Sequence, residues 1–156
     1  MAGEGQGGEA RLQANLQKWA DGKLSLKEVR GYTDEQLYAV ARTAYLYYHQ
    51  GKLAEARTLF QGLFAVDPGN GYVARALGVV EFAAGNAAGA LAAWDVAVKL
   101  EPEDPAGYVG RAEVRLAAGQ KGGAAEDLKR AAQLVSRAEH PLKPKVSAML
   151  AALSKR

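Results

Sequence analysis

Three stretches of this chain repeat one another at a fixed interval, and that interval constrains the fold more than any other feature. Gly51, Gly85 and Gly119 recur every 34 residues, as do Ala56, Ala90 and Ala124, and then Phe60, Trp94 and Leu128. Pro68 and Pro102 close the first two stretches, and Ser136 stands where a third proline would fall. The pattern has a physical reading. A glycine suits a sharp turn between antiparallel helices, because it adopts positive φ without steric cost. The alanine five residues later lets the second helix approach the first, and the large residue one helical turn on fills the space between units. Proline then ends the second helix or starts the next connection. A single unit cannot bury its apolar faces, so three in tandem build one continuous core.

Unit length and the A-x-x-x-F…P spacing resemble the second half of the tetratricopeptide pattern, a helix-turn-helix repeat. The fold expected is all-α: a solenoid of three such repeats, with an N-terminal helical extension and a C-terminal capping helix. The repeats are expected at 37–70, 71–104 and 105–138. In the first, helix A spans about Asp34 to Gln50 and helix B about Leu53 to Val66. The second is the best match, with Leu77-Gly78 in the consensus L-G place and Trp94 in the large-residue slot. The third lacks the proline, so its second helix is expected to run on to Glu139.

The flanks follow local signals. Residues 1–8 hold four glycines and no bulky apolar group, apart from the initiating Met, and read as a disordered tail. Leu12, Leu16, Trp19 and Ala20 then fall on one helical face that ends near Asp21-Gly22. Leu12, Leu16 and Trp19 need a partner, either the array or a second copy of the chain. Ser25…Glu28 and Thr33…Gln36 both read as capping boxes that start helices. After His140-Pro141, Val146, Met149, Leu150 and Leu153 return to helical spacing, a capping helix in residues 139–156 whose polar face would carry Lys145, Ser147, Ser154, Lys155 and Arg156.

Composition excludes several classes. The chain is 156 residues, 49% hydrophobic and 24% charged, ordinary for one globular domain. No apolar run approaches the roughly 20 residues of a membrane span, and the N-terminus has no apolar signal segment, so a cytoplasmic protein without membrane insertion is expected. The absence of cysteine excludes disulfides and thiolate chemistry. A net charge of +3 invites a nucleic-acid reading, but acids are interleaved with the bases and no basic run of four exists, so no nucleic-acid partner is expected.

Chemistry is equally sparse. His49 and His140 stand alone, with no metal-ligand spacing, and read as surface or helix-capping residues. No phosphate loop is present, and Gly122-Gly123 lies in a helical repeat. Glu101, Glu103 and Asp104 form the densest acidic cluster, at an inter-repeat connection that reads as a solvated turn. No nucleophile, base or metal cluster can be assembled, so the chain is read as a non-enzyme without cofactor.

What remains is a surface. In tetratricopeptide arrays the first helix of each repeat lines a concave groove through repeat positions 2, 5, 9 and 12. Here these are Tyr38, Ala41, Tyr45 and Tyr48; then Tyr72, Arg75, Val79 and Phe82; then Ala106, Val109, Glu113 and Leu116. The first two rows are the candidate peptide-binding residues. Tyr47 is assigned to the core, with Val40 and Ala44. Tyrosine suits a binding surface, giving large contact area at low rotamer cost and a hydroxyl handle. Grooves that clamp acidic chaperone tails use lysine, asparagine and arginine at these positions. This one has only Arg75, so an extended peptide with alternating apolar anchors fits it better, the tyrosine hydroxyls and Arg75 meeting the backbone.

The stretch from Gly22 to Pro68, GKLSLKEVRGYTDEQLYAVARTAYLYYHQGKLAEARTLFQGLFAVDP, resembles the class II chaperones of bacterial type III secretion, with the match extending over about Leu12 to Leu153. The resemblance implies a cytoplasmic, bacterial chaperone that holds hydrophobic translocator subunits soluble until export, binding a Pro-x-Leu-x-x-Pro-like client segment along Tyr38, Tyr45, Tyr48, Tyr72 and Phe82, with Ala41, Arg75 and Val79 between them. It also implies homodimers through the N-terminal helix, which would give Leu16 and Trp19 a partner. The alternative is a general scaffold or adaptor in assembly of a bacterial envelope or motility complex, gripped on its convex side.

Overall fold

A computed structural model describes residues 3–136 and 139–155. Met1, Ala2, the third repeat's expected end at Ala138, and Arg156 lie outside the described residues. Among the described residues there are nine helices and no strand. The N-terminal extension is α1 (Gly3–Ala20) and α2 (Leu26–Arg30). The repeats are α3 (Asp34–His49) with α4 (Leu53–Val66), α5 (Gly71–Ala83) with α6 (Ala87–Leu100), and α7 (Pro105–Ala117) with α8 (Lys121–Val135). The chain closes with α9 (Lys143–Ser154).

The periodic glycines do what their spacing predicts. Gly51, Gly85 and Gly119 have φ of 74°, 80° and 74°, the left-handed region. Each completes the same two-bond C-terminal motif. Gly51 N–H donates to Tyr48 C=O at 3.0 Å and Lys52 N–H to Tyr47 C=O at 2.9 Å, satisfying carbonyls that the helix end would leave unpaired. The equivalent pairs recur at Gly85 and Gly119. Both capping boxes also form. Ser25 N–H donates to Glu28 Oε2 at 2.7 Å, and Thr33 N–H donates to Gln36 Oε1 at 2.9 Å.

Each repeat rests on the next through the slot residues. Phe60 is fully buried among Ala44, Ala56, Val73 and Val80. Trp94 lies between α5 and α7, and glycines make the room: a Cβ on Gly78 would sit 2.6 Å from Trp94 Cε2, and one on Gly110 would collide with the same indole. Two buried carboxylates tie helices together. Glu81 accepts from Arg57 Nε at 2.9 Å, Gln61 Nε2 at 2.7 Å and Asn86 Nδ2 at 2.7 Å. Burial alone would raise its pKa, but these donors hold it below the ordinary carboxylate value. Asp127 accepts from Arg111 Nη2 at 2.6 Å and Arg115 Nη1 at 2.8 Å.

The structure departs from the sequence reading at three places. The first helix takes in Gly3 to Gly8, assigned above to a tail. In the third repeat α8 is described to Val135, where the Ser136 hydroxyl donates to Gln133 C=O at 2.7 Å, and the expected run on to Glu139 crosses residues 137 and 138, which lie outside the described residues. Val40, assigned to the core, is 38% exposed, since no repeat precedes the first to cover it. The acidic connection is paired rather than merely solvated: Glu101 and Asp104 both bind Arg75, and Glu103 binds Arg130.

The candidate peptide-binding groove

The spacing 38, 41, 45, 48 on α3 and 72, 75, 79, 82 on α5 places each row on one helical face. The two rows meet through aromatic rings. Tyr38 and Tyr72 pack edge to face with centroids 5.8 Å apart, and Tyr45 lies 6.0 Å from Tyr72. Ala41 is buried beneath them, small enough for the rings to close over it. Tyr38 is 51% exposed and is the cluster's open edge. Tyr45, Tyr48 and Tyr72 are half-buried against the first core cluster.

Tyr45 has two roles by position. One edge packs on the buried Phe60, centroids 5.3 Å apart, while the same ring borders Tyr72. Burial first, and then its neighbour Tyr72, push its hydroxyl up to about 12, so it stays protonated at neutral pH and can donate a hydrogen bond. Tyr48 meets the others through His49, which lies 5.3 Å from Tyr48 and 6.4 Å from Tyr45. The position rule missed His49, since it is one residue out of the row; the signal was only its place beside two tyrosines.

Further along α5, Val79 and Phe82 are 37% and 38% exposed, an apolar continuation of the tyrosine shelf. Arg75 stands between these regions but is not free to probe a client. Its guanidinium is held by Glu101, and by Asp104 at 3.0 Å, so its charge is spent inside the inter-repeat junction. Beyond Tyr38 the groove opens onto a polar hollow where Lys27 pairs with Asp34 and, at 3.3 Å, with Asp67. The capping box at Ser25 was legible in sequence, but not that Lys27 would bridge three elements.

The third row is covered. Val109 is buried in one cluster with Val146 of α9, Leu116 packs with Met149, Leu150 and Leu153 of α9 against the buried Ala112, Ala124 and Leu128, and Glu113 pairs with Lys145 at 2.6 Å. The open aromatic surface therefore belongs to repeats one and two. Leu12, Leu16 and Trp19 line up on α1, exposed by 42%, 41% and 47%, away from this groove. Tyr47 is half-buried on the core, with Lys52 Nζ 5.4 Å from its ring centre. His140 caps locally, its Nδ1 accepting from Leu142 N–H at 3.1 Å. Among the described residues no group of three or more histidines and acids could hold a metal ion, and no helix is long and apolar enough to cross a membrane.

A sequence model described as tetratricopeptide repeat matches residues 35–70, which is α3 and α4 with their turns. The other two repeats share its helix pairing, its left-handed glycine and its slot residue. The chain has the fold of a tetratricopeptide-repeat array. Among solved structures it is similar to the Yersinia enterocolitica type III secretion translocator chaperone SycD, with 24% identity over 83% of this chain and 98% of that one and a TM-score of 0.76. It is also similar to SycD in complex with a peptide of the translocator YopD, with 26% identity, 78% and 94% coverage and a TM-score of 0.72. A third is Pseudomonas aeruginosa PcrH in complex with the chaperone-binding region of PopD, with 23% identity, 80% and 95% coverage and a TM-score of 0.73. The fold thus resembles that of the translocator chaperones over most of the chain. No curated protein matches the chain by sequence.

Proposed function

We propose that this protein is a non-catalytic, cytoplasmic bacterial chaperone that binds an extended, partly apolar segment of a hydrophobic translocator subunit and keeps it soluble before type III export. The observation that carries the reading is the Tyr38–Tyr45–Tyr72 cluster, three rings from two repeats converging on one open shelf that Val79 and Phe82 extend. Such a shelf offers apolar hollows for alternate side chains, and hydroxyls for the backbone between them. The similarity to SycD with a YopD peptide and to PcrH with the PopD chaperone-binding region supports it, because those structures hold translocator segments on the same fold.

The shelf's charge sharpens the client's chemistry. With Arg75 already paired to two carboxylates, no free cation stands among the eight candidate residues to clamp a terminal carboxylate. An internal segment of the Pro-x-Leu-x-x-Pro kind is favoured over an acidic tail. The test is binding of a fluorescently labelled peptide of that pattern to the wild type, Tyr38→Ala and Tyr45→Ala, beside a peptide with its leucine changed to aspartate. Micromolar binding, lost in each control, is expected. A folded wild type that ignores the peptide would overturn the reading and leave an adaptor gripped on its convex face.

A further inference from the structure

The two ends of the tyrosine shelf differ in charge chemistry. At the start of α3, beyond Tyr38, Lys27 is held between Asp34 and Asp67, a cation already neutralised by carboxylates. At the other end, roughly 16 Å along the helix from Tyr38, stands His49, the last residue of α3. It is exposed, whereas Tyr45 and Tyr48 are half-buried against the core. Its ring lies against both of them. It is stacked on Tyr45 with an interplanar angle of 23° and centroids 6.4 Å apart, and it meets Tyr48 edge to face at 5.3 Å. Two ring contacts at different angles fix the plane of the imidazole at the shelf's edge.

The ring nitrogens have no partner of their own. Among the described residues no hydrogen bond or ion pair takes up the His49 side chain, whereas the chain's other histidine spends its Nδ1 on the Leu142 N–H. The charged groups of the elements packed against this end of α3 are engaged elsewhere or stand apart. In the turn to α4, Lys52 lies over Tyr47. On α4, Arg57 pairs with Glu81, and among the described residues the exposed Glu55 forms no ion pair. On α5, Glu81 is enclosed by Arg57, Gln61 and Asn86, and Arg75 is held by Glu101 and Asp104. On α3 itself, Arg42 is exposed about two turns back. The position suits a cation all the same. The carbonyls of the last turn carry the negative end of the helix dipole, and tyrosine faces attract an imidazolium. A protonated His49 offers two N–H donors, and the acceptor has to come from outside.

We infer that His49 forms a carboxylate subsite at the Tyr48 end of the shelf, reading an acidic side chain in the client segment beside its apolar anchors. The inference rests on the shelf being the client's seat. A charge-assisted bond from imidazolium to carboxylate is the strongest pairing open to this ring. Neutral imidazole keeps one donor and loses the charge, so the preference for an acidic neighbour strengthens as pH falls. The client thereby acquires a direction. Its acidic residue is drawn to the His49 end and gains nothing at the Tyr38 end, where Asp34 and Asp67 already surround Lys27.

The test uses the full chain and fluorescent Pro-x-Leu-x-x-Pro peptides that carry glutamate beyond one proline or the other, each beside its glutamine counterpart. Affinities are measured at about pH 5.5 and about pH 8, a window in which histidine is the side chain that changes charge. At one of the two glutamate positions, the wild type's preference for glutamate over glutamine should be at least about fivefold greater at the lower pH. His49→Gln should show a preference that does not move with pH, and His49→Lys should favour glutamate at both values. A wild-type preference that ignores pH at both positions overturns the inference, as does a pH effect that survives in His49→Gln. A wild type that binds the glutamine peptides but treats glutamate alike removes the subsite and leaves the shelf standing; one that binds none of the peptides removes both.

Discussion

Repeats one and three share one plan and present opposite surfaces. In repeat one the first helix shows Tyr38, Tyr45 and Tyr48 with little to cover them; in repeat three the equivalent row, Val109, Glu113 and Leu116, lies beneath α9. The sequence at the row decides part of this, since repeat three carries smaller side chains there. The remainder comes from the neighbour. The helix after the last repeat folds back, whereas among the described residues the face of repeat one between α3 and α4 keeps an open apolar groove. A repeat array thus becomes directional through its ends, although each unit has the same internal logic.

The interior separating these regions is the first place to break the comparison. Trp94→Ala removes the wedge between α5 and α7 and leaves a cavity lined by Gly78 and Gly110, which cannot collapse to fill it. A loss of about 3–5 kcal/mol in denaturant unfolding is expected; less than about 1 kcal/mol would mean that repeats two and three are not joined through this residue. Removing α9 by truncation before Lys143 takes away the burial of Val146 and its neighbours. A loss of about 2–4 kcal/mol is expected, read as a lower melting temperature, and an unchanged transition would show that α9 is not a cap. If coverage by α9 is what limits the groove, the truncated chain should also expose Val109 and Leu116 and bind more of an apolar dye than the full chain does.

Tyr38 and Tyr45 sharpen the comparison within repeat one. Tyr38 is half exposed, so Tyr38→Ala should change stability by no more than about 0.5 kcal/mol while lowering peptide affinity. Tyr45 also supports Phe60, so Tyr45→Ala should cost about 1–3 kcal/mol of stability besides its effect on binding. Equal stability losses in thermal melts would contradict the division into an outer and an inner tyrosine. The smallest effect concerns pH. The folded-state pKa of Glu81 is depressed, so its contribution is complete above the unfolded carboxyl value, near 4.3, and is lost as pH falls through the lower folded value. Glu81→Gln should flatten the acid limb of a stability-versus-pH curve and leave its slope near neutral pH alone.

Much of the fold was legible residue by residue. The glycine, alanine and large-residue spacing specified six repeat helices, because each of those residues answers a local demand: a left-handed turn, a close helix approach, a filled slot. Both capping boxes were readable for the same reason, since donor and acceptor lie three residues apart. The two rows of candidate groove residues followed from helical spacing, and the structure does bring Tyr38, Tyr45 and Tyr72 together. Arg75 was legible as a groove residue but not as a spent charge, because Glu101 and Asp104 come from the next junction. Val40 looked like core, as any apolar residue on that face would in an interior repeat.

By itself, then, the amino-acid order determined the repeat unit, its number and the aromatic character of its concave side, all consequences of contacts within a few turns of helix. Tertiary structure alone decided which surfaces stay open. Whether α9 covers the third row and whether Glu101 neutralises Arg75 depend on the angle at which one element meets another, and that angle is set by side-chain packing between segments distant in the chain.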